Sequence, residues 1–197
     1  RYNSTVTLRD SEVSYAEESG IVMNDNSSNY TATLTIERST IASNGDYGIY
    51  MNADYNPQGY NYLSVTDSTI RDNGNTGIWV NYAFGSLVRN SNIYGNGSYG
   101  VYNGTSSTSY AIDARYNWWG DDSGPDPFGA GDRINGRYTC TPQPCHYEYD
   151  IVVVNPWLDS TGQVVTRYNS APSSRWSWWA SDPVNTCLLY TSPSPRD

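Results

Sequence analysis

One string of residues keeps returning along this chain, and its return leaves few folds open. Leu34 to Asn52 reads L-T-I-E-R-S-T-I-A-S-N-G-D-Y-G-I-Y-M-N, and Leu63 to Asn81 reads L-S-V-T-D-S-T-I-R-D-N-G-N-T-G-I-W-V-N. Weaker copies run from Val6 to Val13, continued by Gly20 to Asn24, and from Val88 to Asn103. The aligned Ser11, Ser39, Ser68 and Ser91 stand 28, 29 and 23 residues apart, and Asn117 continues the series 26 further on. Within each copy the apolar residues alternate with period two: Val6/Leu8, Leu34/Ile36 and Leu63/Val65, then Ile21/Met23, Ile49/Met51 and Ile78/Val80. That is the period of strands. A single copy cannot bury its own apolar face, so the copies must stack. Without helices between them, they stack as successive coils of a parallel solenoid.

The composition agrees. The chain carries 25 Ser, 20 Asn and 17 Gly, which suit turns, and 19 Tyr, which suits strands. Asn44-Gly45, Asn73-Gly74 and Asn96-Gly97 recur in register. Asn-Gly favours turns with positive φ, so the left-handed residues are expected at these pairs. Aligned Asn side chains are also expected to bond along the stack as a ladder. The aligned Ser residues are expected at a tight corner that needs a small side chain. Around Gly85-Ser-Leu-Val88 the alternation slips, which predicts a bulge.

These repeats resemble the right-handed parallel β-helix of the pectin-lyase-like proteins, over about Val6 to Leu158. The expected fold is all-β, a right-handed parallel β-helix (solenoid) of four to five coils. Coils ~4.8 Å apart give a stub of roughly 20–25 Å. Asn117-Trp118-Trp119-Gly120, followed by Asp121-Asp122-Ser123-Gly124-Pro125, resembles the last-coil signature of many secreted bacterial β-helix repeat proteins. Ile151 to Leu158 resembles the strand that closes them. The resemblance therefore implies a C-terminal fragment, with coils over residues 1–158 and a capping coil at 111–158. Residues 159–186 read as an irregular linker or the start of a lost module. Cys187 to Asp197, C-L-L-Y-T-S-P-S-P-R-D, resembles the translation of a transposase adaptor used in sequencing libraries and is set aside as a non-native tail.

Charge narrows the functional classes. All eleven basic residues are Arg, the formal net charge is −9 and the sequence pI is about 4.4. No nucleic acid or anionic membrane is expected as a partner, and no apolar run reaches the ~20 residues of a membrane span. One histidine, His146, leaves little scope for histidine metal sites.

The strongest candidate for contact with a ligand is aromatic. Tyr50, Trp79 and Tyr102 occupy equivalent outward positions beside Ile49, Ile78 and Val101, and Tyr47, Thr76 and Tyr99 stand two residues before them. These residues are expected to form an exposed aromatic stripe with flat faces for sugar rings, flanked by Asn52, Asn81 and Asp54. Self-stacking between neighbouring strands is the alternative use. Arg9 and Glu37, and Asp10, Arg38 and Asp67, fall at equivalent positions and read as stacked ion pairs. For catalysis the candidates are Asp54, Asp72, the Asp121-Asp122 pair, Arg71 with Asp72, and Arg115 near Asp113; none matches a catalytic motif. No cofactor is expected, with calcium in the oxygen-rich loop from Asp121 to Asp132 as the weaker reading. Cys140 and Cys145 bracket T-P-Q-P and read as a disulfide, or as free thiols. Asn3, Asn26, Asn29, Asn96 and Asn103 head N-x-S/T triplets, expected by chance in so Asn- and Ser-rich a chain. The resulting expectation is a secreted or cell-surface module of a bacterium or archaeon, non-catalytic, binding polysaccharide or surface glycan or serving as an adhesive stalk. The alternative is part of a polysaccharide lyase or glycoside hydrolase whose catalytic coils lie mostly upstream.

Overall fold

The computed structural model describes residues 2–25, 30–53, 61–139, 146–148 and 151–166. Three strands make each of the first four coils. They are β1 (Tyr2–Arg9), β2 (Glu12–Ser14) and β3 (Ile21–Asp25); β4 (Tyr30–Glu37), β5 (Thr40–Ala42) and β6 (Ile49–Ala53); β7 (Tyr62–Thr66), β8 (Thr69–Arg71) and β9 (Thr76–Asn81); and β10 (Leu87–Arg89), β11 (Asn92–Tyr94) and β12 (Tyr99–Asn103). A 3-10 turn at Thr108–Tyr110 precedes β13 (Ile112–Asp113). The closing part holds β14 (Arg137–Thr139), β15 (His146–Glu148), β16 (Val152–Val153), β17 (Trp157–Leu158) and β18 (Val164–Val165).

Equivalent strands pair in parallel, coil on coil. Sheet A runs β1-β4-β7-β10-β13-β16, sheet B runs β2-β5-β8-β11, and sheet C runs β3-β6-β9-β12. Parallel strands need long crossovers, and here each crossover is one turn of the solenoid. The register follows the repeat: Val6↔Leu34↔Leu63, Ile41↔Ile70↔Ile93 and Ile21↔Ile49↔Ile78↔Val101. Inside the tube these rows become continuous apolar columns, with Leu34, Ile41, Ile49, Leu63, Ile70 and Ile78 fully buried. Sliding one strand by one residue would turn its column out to water, so the register is strongly fixed.

The corner between sheets A and B explains the recurring serines. The residue before each is left-handed: Asp10 (φ 47°), Arg38 (φ 45°), Asp67 (φ 51°), Asn90 (φ 51°) and Tyr116 (φ 60°). The buried hydroxyls of Ser39, Ser68 and Ser91 then each accept from the backbone N–H at the same corner of the coil before. Ser11 N–H donates to Ser39 Oγ at 3.2 Å, Ser39 N–H to Ser68 Oγ at 3.1 Å, and Ser68 N–H to Ser91 Oγ at 3.1 Å. Asn117 ends the row, its Oδ1 taking Ser91 N–H at 2.9 Å.

The Asn-Gly pairs sit at the corner between sheets B and C, with a correction. Positive φ falls one residue earlier than expected, on Ser43 (φ 56°), Asp72 (φ 54°) and Gly95 (φ 71°). The Asn points inward as a ladder rung. The Gly is needed because the coils nearly touch there: a Cβ on Gly74 would lie 2.2 Å from the Gly45 carbonyl oxygen, and one on Gly97 equally close to that of Gly74. Shortage of space, rather than backbone handedness, selects glycine at these positions.

The expected irregularity is a one-residue bulge. Asn61 bridges Ala83 while Ser64 pairs with Leu87, so four steps on one strand face three on the other. The extra residue is taken up in a turn around Gly85, at φ 65°.

Candidate aromatic face

The outer surface of sheet C carries the candidate ligand residues. Tyr50, Trp79 and Tyr102 face one another in register on β6, β9 and β12. Tyr50 and Trp79 are stacked with ring centroids 4.6 Å apart and planes 17° from parallel. Trp79 and Tyr102 are nearly parallel at 5°, but 6.4 Å apart. Tyr47 leans on Tyr50 at 5.1 Å and on Trp79 at 6.4 Å, while Tyr99 meets Tyr102 edge-on at 5.0 Å. All five expected aromatic residues thus join one continuous cluster, each partly exposed.

Two details change the picture drawn from the sequence. Thr76, aligned with Tyr99, does not belong to the outer surface: it is 2% exposed. And Tyr50 and Trp79 spend ring faces on each other, so the exposed platform is narrower than five free rings. Trp79 has room because the next coil offers Gly104, where a Cβ would lie 3.0 Å from Cζ2 of the indole. The sequence gives no hint of that glycine's purpose, because it falls outside the repeated string.

Beside the rings runs a row of amides. Asn24, Asn52 and Asn81 are in register, and Asn81 Nδ2 donates to Asn52 Oδ1 at 3.3 Å. Burial, with the Asp46 carboxylate second, pushes the Tyr47 hydroxyl up, so it stays protonated and able to donate. At the far end the Arg133 guanidinium lies 5.0 Å over the Tyr99 ring.

Beneath this surface lies the ladder that holds the corner. Asn44 Nδ2 donates to Asn73 Oδ1 at 2.9 Å, and Asn73 Nδ2 to Asn96 Oδ1 at 2.9 Å. Asn96 Nδ2 then donates to Asp132 Oδ2 at 2.7 Å. The ladder is polar along its length, so its last member must offer an acceptor, which the carboxylate does. Asp132 also takes the backbone N–H of Gly95 at 2.9 Å and of Asn96 at 3.2 Å. Burial pushes the Asp132 carboxyl up against these three hydrogen bonds, and burial wins. Two of the N-x-S/T asparagines, Asn96 and Asn103, have side chains engaged in such internal bonds.

The carboxylates considered for catalysis or calcium are dispersed and engaged. Arg71 pairs with its neighbour Asp72, which approaches Gly95 on the next coil. Asp113 lies between Arg115, at 2.8 Å, and Arg89 on the adjacent strand. Partial burial pushes its carboxyl up, but hydrogen bonds from Arg115 and Arg89 outweigh that and hold it well below the usual carboxylate range. Asp121 takes the Ser123 N–H and hydroxyl, Asp122 takes the Ser160 N–H, and Asp126 faces Arg133 at 3.5 Å. In the loop from Asp121 to Asp132 the acidic groups therefore point at separate partners. Among the described residues, no three His, Cys, Asp or Glu side chains converge on a common point. The stacked ion pairs are present for Arg9 with Glu37 at 2.8 Å and for Arg38 with Asp10 at 2.7 Å. Asp67 acts on Arg38 only through its longer-range field.

The Trp pair of the last-coil signature divides its labour. Trp119 is fully buried in the core, and Trp118 packs on Tyr94 at 5.2 Å. Sheet A gains its sixth strand when Ile112 and Asp113 pair with Val152 and Val153. Asp159 then organises a tight turn, accepting from Thr161 and Gln163, and brings β18 antiparallel to β17. Asp54, Cys140, Cys145 and Cys187 to Asp197 lie outside the described residues. The two inner cysteines fall in the connection between β14 and β15, which pair antiparallel.

No curated protein and no solved structure matches the chain. A family model described as right handed beta helix region matches residues 1–124. With the three parallel sheets and their coil-by-coil register, that match places the chain in the right-handed β-helix family.

Proposed function

We propose that this β-helix is a non-catalytic module of a secreted or cell-surface protein that contacts polysaccharide through the outer surface of sheet C. The observation that carries this reading is the unbroken five-ring cluster from Tyr47 to Tyr102 beside the Asn52 and Asn81 amides. Rings that end in hydroxyls, next to amides, combine apolar contact with hydrogen bonding, the mixture that sugar surfaces require. Acid–base chemistry needs ionisable groups poised over a substrate, whereas the described acids and arginines considered for it are engaged with partners inside the fold. A rigid, coil-by-coil scaffold with such a surface suits adhesion or display.

Affinity electrophoresis through gels containing polysaccharide tests the reading. Retention of the native protein, and its loss in Trp79→Ala with the circular dichroism melt preserved, is the expected result. Equal mobility with and without every polysaccharide tried would overturn it. The secretion half is tested separately by mass spectrometry of the non-reduced protein. A Cys140–Cys145 disulfide is expected, since β14 and β15 run antiparallel with Thr139 opposite His146, one residue from each cysteine.

A further inference from the structure

We infer that the glycan met by sheet C is uncharged and lies along the solenoid axis, held by phenol and amide hydrogen bonds. This inference rests on the polysaccharide reading and narrows it to one chemical class.

The direction follows from the register. Tyr50, Trp79 and Tyr102 repeat once per coil, and so do Asn24, Asn52 and Asn81. The two rows run side by side on β6 and β9, perpendicular to the strands. An extended chain meets each row more than once only by lying along the axis, between rings and amides. A chain laid along a strand would cross each row once.

Charge decides the class. Uronate and sulfate groups are held by arginine or lysine. The chain has no lysine. Each arginine with a described side chain already faces a carboxylate: Arg9, Arg38, Arg71, Arg89, Arg115 and Arg133. Arg133, at the end of the ring cluster, is further engaged with Tyr99. Strands β3, β6, β9 and β12 contain no basic residue. With a formal net charge of −9, an acidic polysaccharide would be repelled, and among the described residues the strands of sheet C offer it no basic partner. An uncharged polyhydroxyl chain meets groups of its own kind. The Asn amides offer donors and acceptors together, and the Tyr hydroxyls do both.

The test uses the whole chain in three gels, containing hydroxyethyl cellulose, galactomannan or polygalacturonate. Retention by either uncharged polymer but not by polygalacturonate is expected, and it should persist in added salt because no ion pair is involved. Trp79→Ala should weaken retention about tenfold. Because that ring also packs on Tyr50, Asn81→Ala serves as a second variant. It removes one amide from the track without touching the core and should weaken retention a few-fold. Retention by polygalacturonate alone would overturn the inference while leaving the polysaccharide reading standing. Retention in no gel would overturn the reading itself. Uncharged-polymer retention unchanged in both variants would overturn the assignment to this track.

Discussion

Two ladders climb the second to fourth coils of this solenoid, and they have opposite relations to water. The inner one, Asn44, Asn73, Asn96 and Asp132, is largely shielded, with Asn44 and Asn73 only 2% and 1% exposed. The outer one, Tyr50, Trp79 and Tyr102, repeats with the same spacing on the neighbouring sheet but stays partly exposed. Both look alike as sequence, a residue type returning every coil. A buried amide has no substitute partner when its neighbour is removed, whereas an exposed ring has water. Repetition in such a chain therefore has two sources, the demands of stacking and the demands of the surface, and burial tells them apart.

The largest test of this contrast is Asn73→Ala. It strands the Asn44 backbone N–H and the Asn44 side-chain N–H bonded to Asn73 Oδ1 and takes a donor from the Ile41 carbonyl, while Asn96 Oδ1 keeps the backbone N–H of residue 73. Buried orphans at about 1–3 kcal/mol each predict a loss of about 3–5 kcal/mol. The thermal midpoint, followed by circular dichroism, should fall by roughly 10 °C. A fall of only a degree or two would mean that the inner ladder holds nothing together. Gly74→Ala comes next. Its Cβ would press on the Gly45 carbonyl, a backbone atom that cannot swing aside, so a loss of about 1–3 kcal/mol is expected in the same assay.

Most of the inner ladder was legible before the structure. The spacing of Ser39, Ser68 and Ser91 and of the three Asn-Gly pairs is enough to align the coils and place their corners. The reason for the glycines was not legible, because it depends on how close two backbones come. Nor were the left-handed residues. Asp10, Asp67 and Asn90 are of types that tolerate the left-handed region, but Arg38 and Tyr116 are not, and the corner imposes the conformation whatever the residue. Asp132 was hidden for a related reason. It completes the Asn series from a loop 36 residues beyond Asn96, where no repeat points to it. On the outer surface the five rings were legible as neighbours, but their mutual stacking was not. Stacking depends on side-chain rotation, which strand periodicity leaves undetermined.

Acid separates the ladder's end from the outer charges. Asp113 has a lowered carboxyl, so the unfolded chain binds its proton first. Its stabilising contribution is complete above the unfolded value near 3.9 and is lost as pH falls below it. Asp113→Asn should lower stability by about 1 kcal/mol at pH 7, after allowance for solvent screening, and by progressively less as pH falls from the unfolded value toward the lowered folded one. Asp132 is raised, so the sign reverses: the folded chain binds the proton first. Its linkage term favours folding below the unfolded value and declines as pH rises through the raised one. Asp132→Asn should therefore remove a downward slope of stability that begins as pH rises past the unfolded carboxyl value. Denaturant titrations from pH 3 to 7 distinguish the two; parallel curves for both variants would show that the ladder's carboxylate is no different from a surface one.

The smallest effect is expected on the outer ladder, and it bears most directly on the contrast. Tyr50 and Trp79 are the tightest ring pair on sheet C, 4.6 Å apart. A double-mutant cycle of Tyr50→Ala and Trp79→Ala isolates their coupling from what each ring does alone. Stacked rings with water at their edges should couple by about 0.5–1 kcal/mol. The same cycle on Asn44 and Asn73 shares a buried hydrogen bond and should give a larger value. Similar couplings in the two cycles would mean that the rings hold the coils together as firmly as the amides do. The aromatic row would then be a structural rib, its exposure incidental, and the case for a glycan track on sheet C would lose its physical footing.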